Sequence, residues 1–306
     1  MLLVSLLCIT IFPSVSSAED ISASYMYTLS NFTGTIPFSW AKVSIDPERN
    51  DAFVTDASDN SVRIFNRSGM EVFAINDDGD LGAVIDTAVD NKGNILLLSY
   101  SGKKYLIIVC NYRGEPDSKI ELNNIPGEFS EFSPDAMVYR DGHIYLADKG
   151  SMKVAVLDEK GALEKSYDIF SILKLEEKKR GSVDIRGFNV DNEGNMLFTI
   201  PVLFQAYTLS PDGKYKAFGQ RGSAPGKFNI TAGIAADDKG NYYVADTLKC
   251  AVLIFDKDFR FVTQFGYRGY DPGDFIAPMH LAMHNDRLYV SQSAGRGVSV
   301  FGIHYN

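Results

Sequence analysis

One phrase of sequence recurs along this chain, and it constrains the fold more than any other feature. In its clearest copy, Gly233-Ile-Ala-Ala-Asp237 leads through Lys239-Gly240-Asn241 to Tyr242-Tyr-Val-Ala-Asp246. The same order appears from Asp86 to Ser99 and from Gly187 to Ile200. Looser copies run from Lys42 to Asp56, from Asp135 to Asp148 and from His280 to Gln292. The second apolar segments end at residues 56, 99, 148, 200, 246 and 292, giving gaps of 43, 49, 52, 46 and 46 residues. Self-similarity at a period of about 40–50 residues marks a repeat architecture, each unit burying its faces against its neighbours.

Each unit has one grammar. A short apolar strand meets a turn built on Gly, Asn or Asp, which tolerate positive φ. A second strand follows, then a polar loop and a third strand such as Lys153–Leu157 or Ala251–Phe255. Most units add another turn (Arg67-Ser-Gly69, Glu159-Lys-Gly161, Pro211-Asp-Gly213) and a fourth strand such as Glu71–Ile75. Four strands per unit predict an all-β, six-bladed β-propeller of four-stranded antiparallel blades. The last unit stops after its third strand, near Ile303, whereas Tyr25–Leu29 is a strand-like run without a unit. We therefore expect Tyr25–Leu29 to pair with Val298–Phe301 as the outer strand of the sixth blade, which removes the raw ends of an open ring.

Two stretches between units are more specific: Phe218-Gly-Gln-Arg-Gly-Ser-Ala-Pro-Gly-Lys-Phe228 and Phe265-Gly-Tyr-Arg-Gly-Tyr-Asp-Pro-Gly-Asp-Phe275. With the phrase Gly233 to Asp246, they resemble the NHL-repeat family in its exported bacterial form. The resemblance runs from about residue 25 to 306 and is strongest in the last three units. It implies a six-bladed ring. It does not imply one activity, because propellers of this kind include protein-binding modules, RNA-binding modules and lyases.

Residues 1–18 read as an export signal, with an apolar run from Leu2 to Phe12, Pro13, and small residues up to Ala18. Residues 19–306 are then a single propeller domain, and the expected location is periplasmic or extracellular. The apolar run is shorter than the roughly 20 residues a membrane-spanning helix needs, and no other segment approaches that length. The net charge of −9 gives a surface that repels phosphate backbones, so nucleic acid is not an expected partner. Cys110 and Cys250 fall in or beside apolar runs of different units and read as two separate buried thiols.

In a four-stranded blade, the first strand starts and the second strand ends on one face. The first-strand starts in register are Lys42, Asp86, Asp135, Gly187, Gly233 and His280. Lys42, Asp86, Asp135 and His280 are the candidate ligand-binding residues at the channel mouth, because converging loops on a rigid scaffold are where such folds bind. Asp86, Asp135 and His280 are also candidate ligands for a divalent cation, and no other cofactor is expected. The second-strand ends Asp56, Asp148 and Asp246 read as repeat grammar that satisfies turn amides.

Catalytic constellations are sparse: there are four histidines, and no phosphate loop or nucleophile elbow appears. The expected role is a binding or scaffold module that presents its mouth to a protein, peptide or carbohydrate. The alternative is a metal-assisted hydrolase or lyase at the same mouth. One insertion, Asp168 to Arg180, interrupts the repeat and predicts a short helix over about 168–180, capped by Asp168, on the mouth face.

Overall fold

The computed structural model describes residues 21–38, 40–56, 58–76, 81–122, 129 and 131–305. The expected export signal lies outside these residues.

Six four-stranded antiparallel sheets form the ring. Their innermost strands are Lys42–Ile45, Ala83–Val89, Ala136–Arg140, Phe188–Val190, Thr231–Ala236 and Pro278–His284, for blades 1 to 6. In blades 1 to 5 the strands follow chain order outward. Blade 6 adds Arg287–Gln292 and Val298–Tyr305, and its outer strand is the N-terminal Ile21–Thr28. The pairing runs from Ile21 opposite Tyr305 to Thr28 opposite Ser299, with Tyr25 opposite Phe301. The predicted closure is therefore present, and longer than the run Tyr25–Leu29 suggested.

The core is divided as a ring requires. Six buried apolar clusters form among the described residues, one between each pair of adjacent blades. The cluster across the seam joins Val43, Val54 and Phe65 of blade 1 to Tyr289 and Val300 of blade 6. Each blade face thus leaves water only when its neighbour is in place, and the closing strand completes the last interface.

The repeated turn has a mechanism. Asp90, Asp191 and Asp237 each accept an amide N–H two residues on and another four residues on, and the side-chain amide of Asn94, Asn195 or Asn241. Gly93, Gly194 and Gly240 take φ of 78°, 78° and 83° in those turns, which suits glycine. The stretches Phe218–Phe228 and Phe265–Phe275 also close on themselves. Gly219 and Gly266 lie under the buried rings of Phe228 and Phe275, where a Cβ would come within 2.1 Å and 2.3 Å of ring carbon.

The insertion departs from expectation. Asp168 caps it as predicted, accepting from Ser171 N–H, but the α-helix is one turn, Ile169–Ile172. A 3₁₀ turn, Glu177–Ser182, follows separately. Lys174 breaks the helix with a φ of 53°. Ile169, Phe170 and Leu173 are drawn into the core between blades 3 and 4, so burial rather than helical periodicity sets the path. Cys110 and Cys250 are both free and buried.

Candidate binding site at the channel mouth

The innermost strands surround a central channel with a cavity of about 360 Å³. Lys42, Asp86 and His280 line it, as do Lys149 and Arg186. Asp135 is not among the lining residues.

Lys42 is the hub of this face. Its Nζ donates to the carbonyl of Ile85 at 3.0 Å and to that of Asp135, and lies 3.7 Å from Asp86 Oδ2. One ammonium therefore links blades 1, 2 and the entry to blade 3. Burial pulls the Lys42 amine below the usual lysine range, and Asp86 opposes that shift. Asp86 is itself committed. Its Oδ1 accepts from Thr87 N–H and its Oδ2 from Met137 N–H, both at 2.9 Å.

His280 Nδ1 accepts from Val43 N–H at 3.3 Å, across the seam between blades 6 and 1. Burial, then the nearby Lys42 and Lys149 charges, push its pKa down to about 3. The imidazole is thus neutral at physiological pH, and with Nδ1 accepting, the proton sits on Nε2.

Asp135 turns toward Lys149. Its Oδ2 lies 3.2 Å from Lys149 Nζ and its Oδ1 accepts from Lys149 N–H. The candidates Lys42, Asp86 and His280 are brought together, then, while Asp135 contributes its carbonyl to the throat and its carboxylate to a loop. The cation hypothesis meets a specific obstacle. The Lys42 ammonium stands where a cation would neutralise Asp86, and Asp86 and His280 spend acceptor capacity on main-chain amides. Among the described residues, no group of three or more His, Cys, Asp or Glu is placed to hold a metal ion.

Sequence reasoning missed Lys149 and Arg186. Each lies one position from a residue already in register: Lys149 follows Asp148, and Arg186 precedes Gly187. The insertion delivers Arg186 to the mouth. Ile185 N–H donates to Lys149 carbonyl at 3.0 Å, and Arg186 N–H to Thr199 carbonyl at 2.9 Å.

The glycines in register with His280 have another role. A Cβ on Gly187 would meet Ala232 carbonyl oxygen at 2.2 Å, and one on Gly233 would meet Leu281 N at 2.7 Å. They let neighbouring innermost strands approach closely.

The other polar residues read in register are structural. Asp56 accepts from Ser58 N–H and Oγ, Asp148 from Ser133 and Ser151 N–H, and Asp246 from Asn229, Leu248 and Lys249 N–H. The four histidines do not converge. His284 lies at the far end of the strand from His280, about 13 Å along it. His143 pairs with Glu164 and His304 with Ser24, both away from the channel.

No protein-family model matches the chain, and no curated protein sequence matches it. Solved structures do. A structural-genomics protein of unknown function from Bacteroides thetaiotaomicron superposes with a TM-score of 0.67 at 14% identity, covering 94% of this chain and 77% of that one. A putative gluconolactonase gives 0.59 at 13% identity, covering 95% and 93%. A streptogramin B lyase gives 0.58 at 12% identity, covering 94% and 98%. At these identities the likeness shows a shared six-bladed fold, which is the class this protein belongs to.

Proposed function

We propose that this protein is an exported, NHL-like propeller that binds a partner group at its channel mouth. One observation carries the reading. The groups capable of chemistry at the mouth, Lys42, Asp86 and His280, are engaged in bonds that hold adjacent blades together, yet an open cavity remains beside them. A site built this way suits recognition better than proton transfer. Trp40, Tyr267 and Tyr270 stand exposed on the connections between blades 6 and 1 and between blades 5 and 6. Tyr and Trp are enriched where proteins meet partners, which supports a protein, peptide or carbohydrate ligand. The paired glycine–phenylalanine loops support the NHL-like reading, and the apolar run Leu2 to Phe12 supports export.

A second reading rests on the solved structures described as gluconolactonase and lyases. It makes the mouth a metal-assisted hydrolytic or lyase site using Asp86, Asp135 and His280. Calorimetric titration with peptides and oligosaccharides, beside a turnover assay on lactones and esters, separates the two. Saturable binding without turnover is expected. Metal-dependent turnover lost in Asp86→Asn would replace the binding reading with the enzymatic one.

A further inference from the structure

The channel mouth is rich in donors and poor in free acceptors. The Arg186 guanidinium is exposed and makes no hydrogen bond, ion pair or ring contact with any described residue, although it lines the cavity. Elsewhere Arg49, Arg63, Arg180 and Arg260 all have carboxylate partners. Lys149 stands at the same mouth with one carboxylate contact, to Asp135. His280 adds an Nε2–H for which the described residues provide no acceptor, since its Nδ1 takes the Val43 amide.

We propose that Arg186, Lys149 and His280 form an anion subsite that takes the carboxylate of a compact organic ligand. This rests on the mouth being a binding site, as read above. A guanidinium offers a planar fork that matches a carboxylate or phosphate bidentately. The charge balance decides between the two. Where the innermost strands begin, Lys42, Lys149 and Arg186 face Asp86 and the Asp135 carboxylate paired with Lys149, three positive groups against two negative ones, whereas Glu48, Asp141, Asp191 and Asp238 line the cavity with Arg140 at the other end of those strands. An excess of one positive charge suits a monoanion, and a neutral His280 adds a donor without adding charge. The backbone bonds of Ile185 and Arg186 fix the main chain from which the Arg186 side chain projects.

The test is a calorimetric titration of the purified protein lacking residues 1–18 with N-acetylglycine and, separately, inorganic phosphate. N-acetylglycine should bind and phosphate should bind more weakly. Arg186→Gln should weaken N-acetylglycine by about tenfold or more, the usual worth of a charge-assisted hydrogen bond. Arg268→Gln, an exposed arginine away from the cavity, should change nothing. Thermal melts verify that both variants fold. No binding of N-acetylglycine, tighter binding of phosphate, or binding indifferent to Arg186→Gln in a folded variant would each overturn the subsite. The broader reading fails differently. If larger ligands bind the mouth and Arg186→Gln leaves that binding intact, the binding propeller stands and the subsite falls. If lactone turnover requires Asp86 while N-acetylglycine binding still requires Arg186, the subsite stands and the non-enzymatic reading falls.

Discussion

Lys42 Nζ stands 3.7 Å from Asp86 Oδ2, which ties the innermost strands of blades 1 and 2 at the channel mouth. The same ammonium donates to the carbonyls of Ile85 and Asp135. Lys42→Met keeps the length of the chain but removes all three contacts and leaves Asp86 without a cation. Hydrogen bonds to charged groups are worth about 1.5–3 kcal/mol, and the 20% exposure of the Lys42 side chain argues for a loss of about 2 kcal/mol. The melting temperature should fall by roughly 3–4 °C in a circular-dichroism scan. An unchanged melt would mean that the ammonium contributes nothing to holding the blades.

His280 gives the fold a pH dependence of known sign. Its folded pKa, about 3, lies below its ordinary 6.5. Below about pH 6.5 the unfolded chain binds a proton that the folded chain refuses, so stability falls as pH drops from about 6.5 toward 3. At about pH 4.5 the loss amounts to about 2–3 kcal/mol, taking 1.36 kcal/mol per unit. His280→Gln cannot titrate and should flatten this part of the profile. The check is chemical denaturation of both proteins at about pH 7.5 and pH 4.5. A pH-dependent loss of equal size in both would exonerate His280.

The ring was legible in the sequence because its turns use chemistry with few alternatives. An Asp followed by Gly and Asn closes three of the first turns, as at Asp237, Gly240 and Asn241, and period and register follow from that. The closing strand was legible by elimination, since the sixth unit lacked a partner that Tyr25–Leu29 could supply. The mouth was legible only in part. Lys42, Asp86 and His280 sit at regular register positions. Lys149 and Arg186 occupy adjacent loop positions whose direction depends on how the insertion docks onto Lys149. Asp135 was in register, but its carboxylate follows Lys149 instead of the channel. The insertion misled because Ile169 and Leu173 share helical spacing whether one turn forms or three.

Closure of the ring makes Tyr27 a sensitive position. Its hydroxyl donates to Arg67 carbonyl at 2.8 Å in blade 1 and accepts from Arg287 Nη1 at 2.9 Å in blade 6. Gly69 lies against its ring, with a built Cβ 2.5 Å from ring carbon. Tyr27→Phe removes the two hydrogen bonds alone and should cost about 1–2 kcal/mol in urea denaturation. Tyr27→Ala also removes ring packing at the seam and should cost about 3 kcal/mol or more. Equal effects of the two variants would show that packing of the ring contributes nothing to closure.

Glycine serves two separate purposes here, and substitution distinguishes them. Gly142 has a φ of 82° and nothing within 4 Å of a built Cβ, so Gly142→Ala meets only backbone strain. That strain is about 1–2 kcal/mol. Gly187 has an ordinary φ, but its Cβ would sit 2.2 Å from the Ala232 carbonyl oxygen, and backbone cannot swing aside as a side chain can. Its amide also donates to Thr199 Oγ1, which donates in turn to that same Ala232 carbonyl. Gly187→Ala must therefore push apart the innermost strands of blades 4 and 5 and break this relay, a loss of about 3 kcal/mol, at the upper end for overpacked cores. The expected result is a melt far below that of Gly142→Ala. If Gly187→Ala melts with or above Gly142→Ala, close approach between these strands is not what requires glycine at the channel wall.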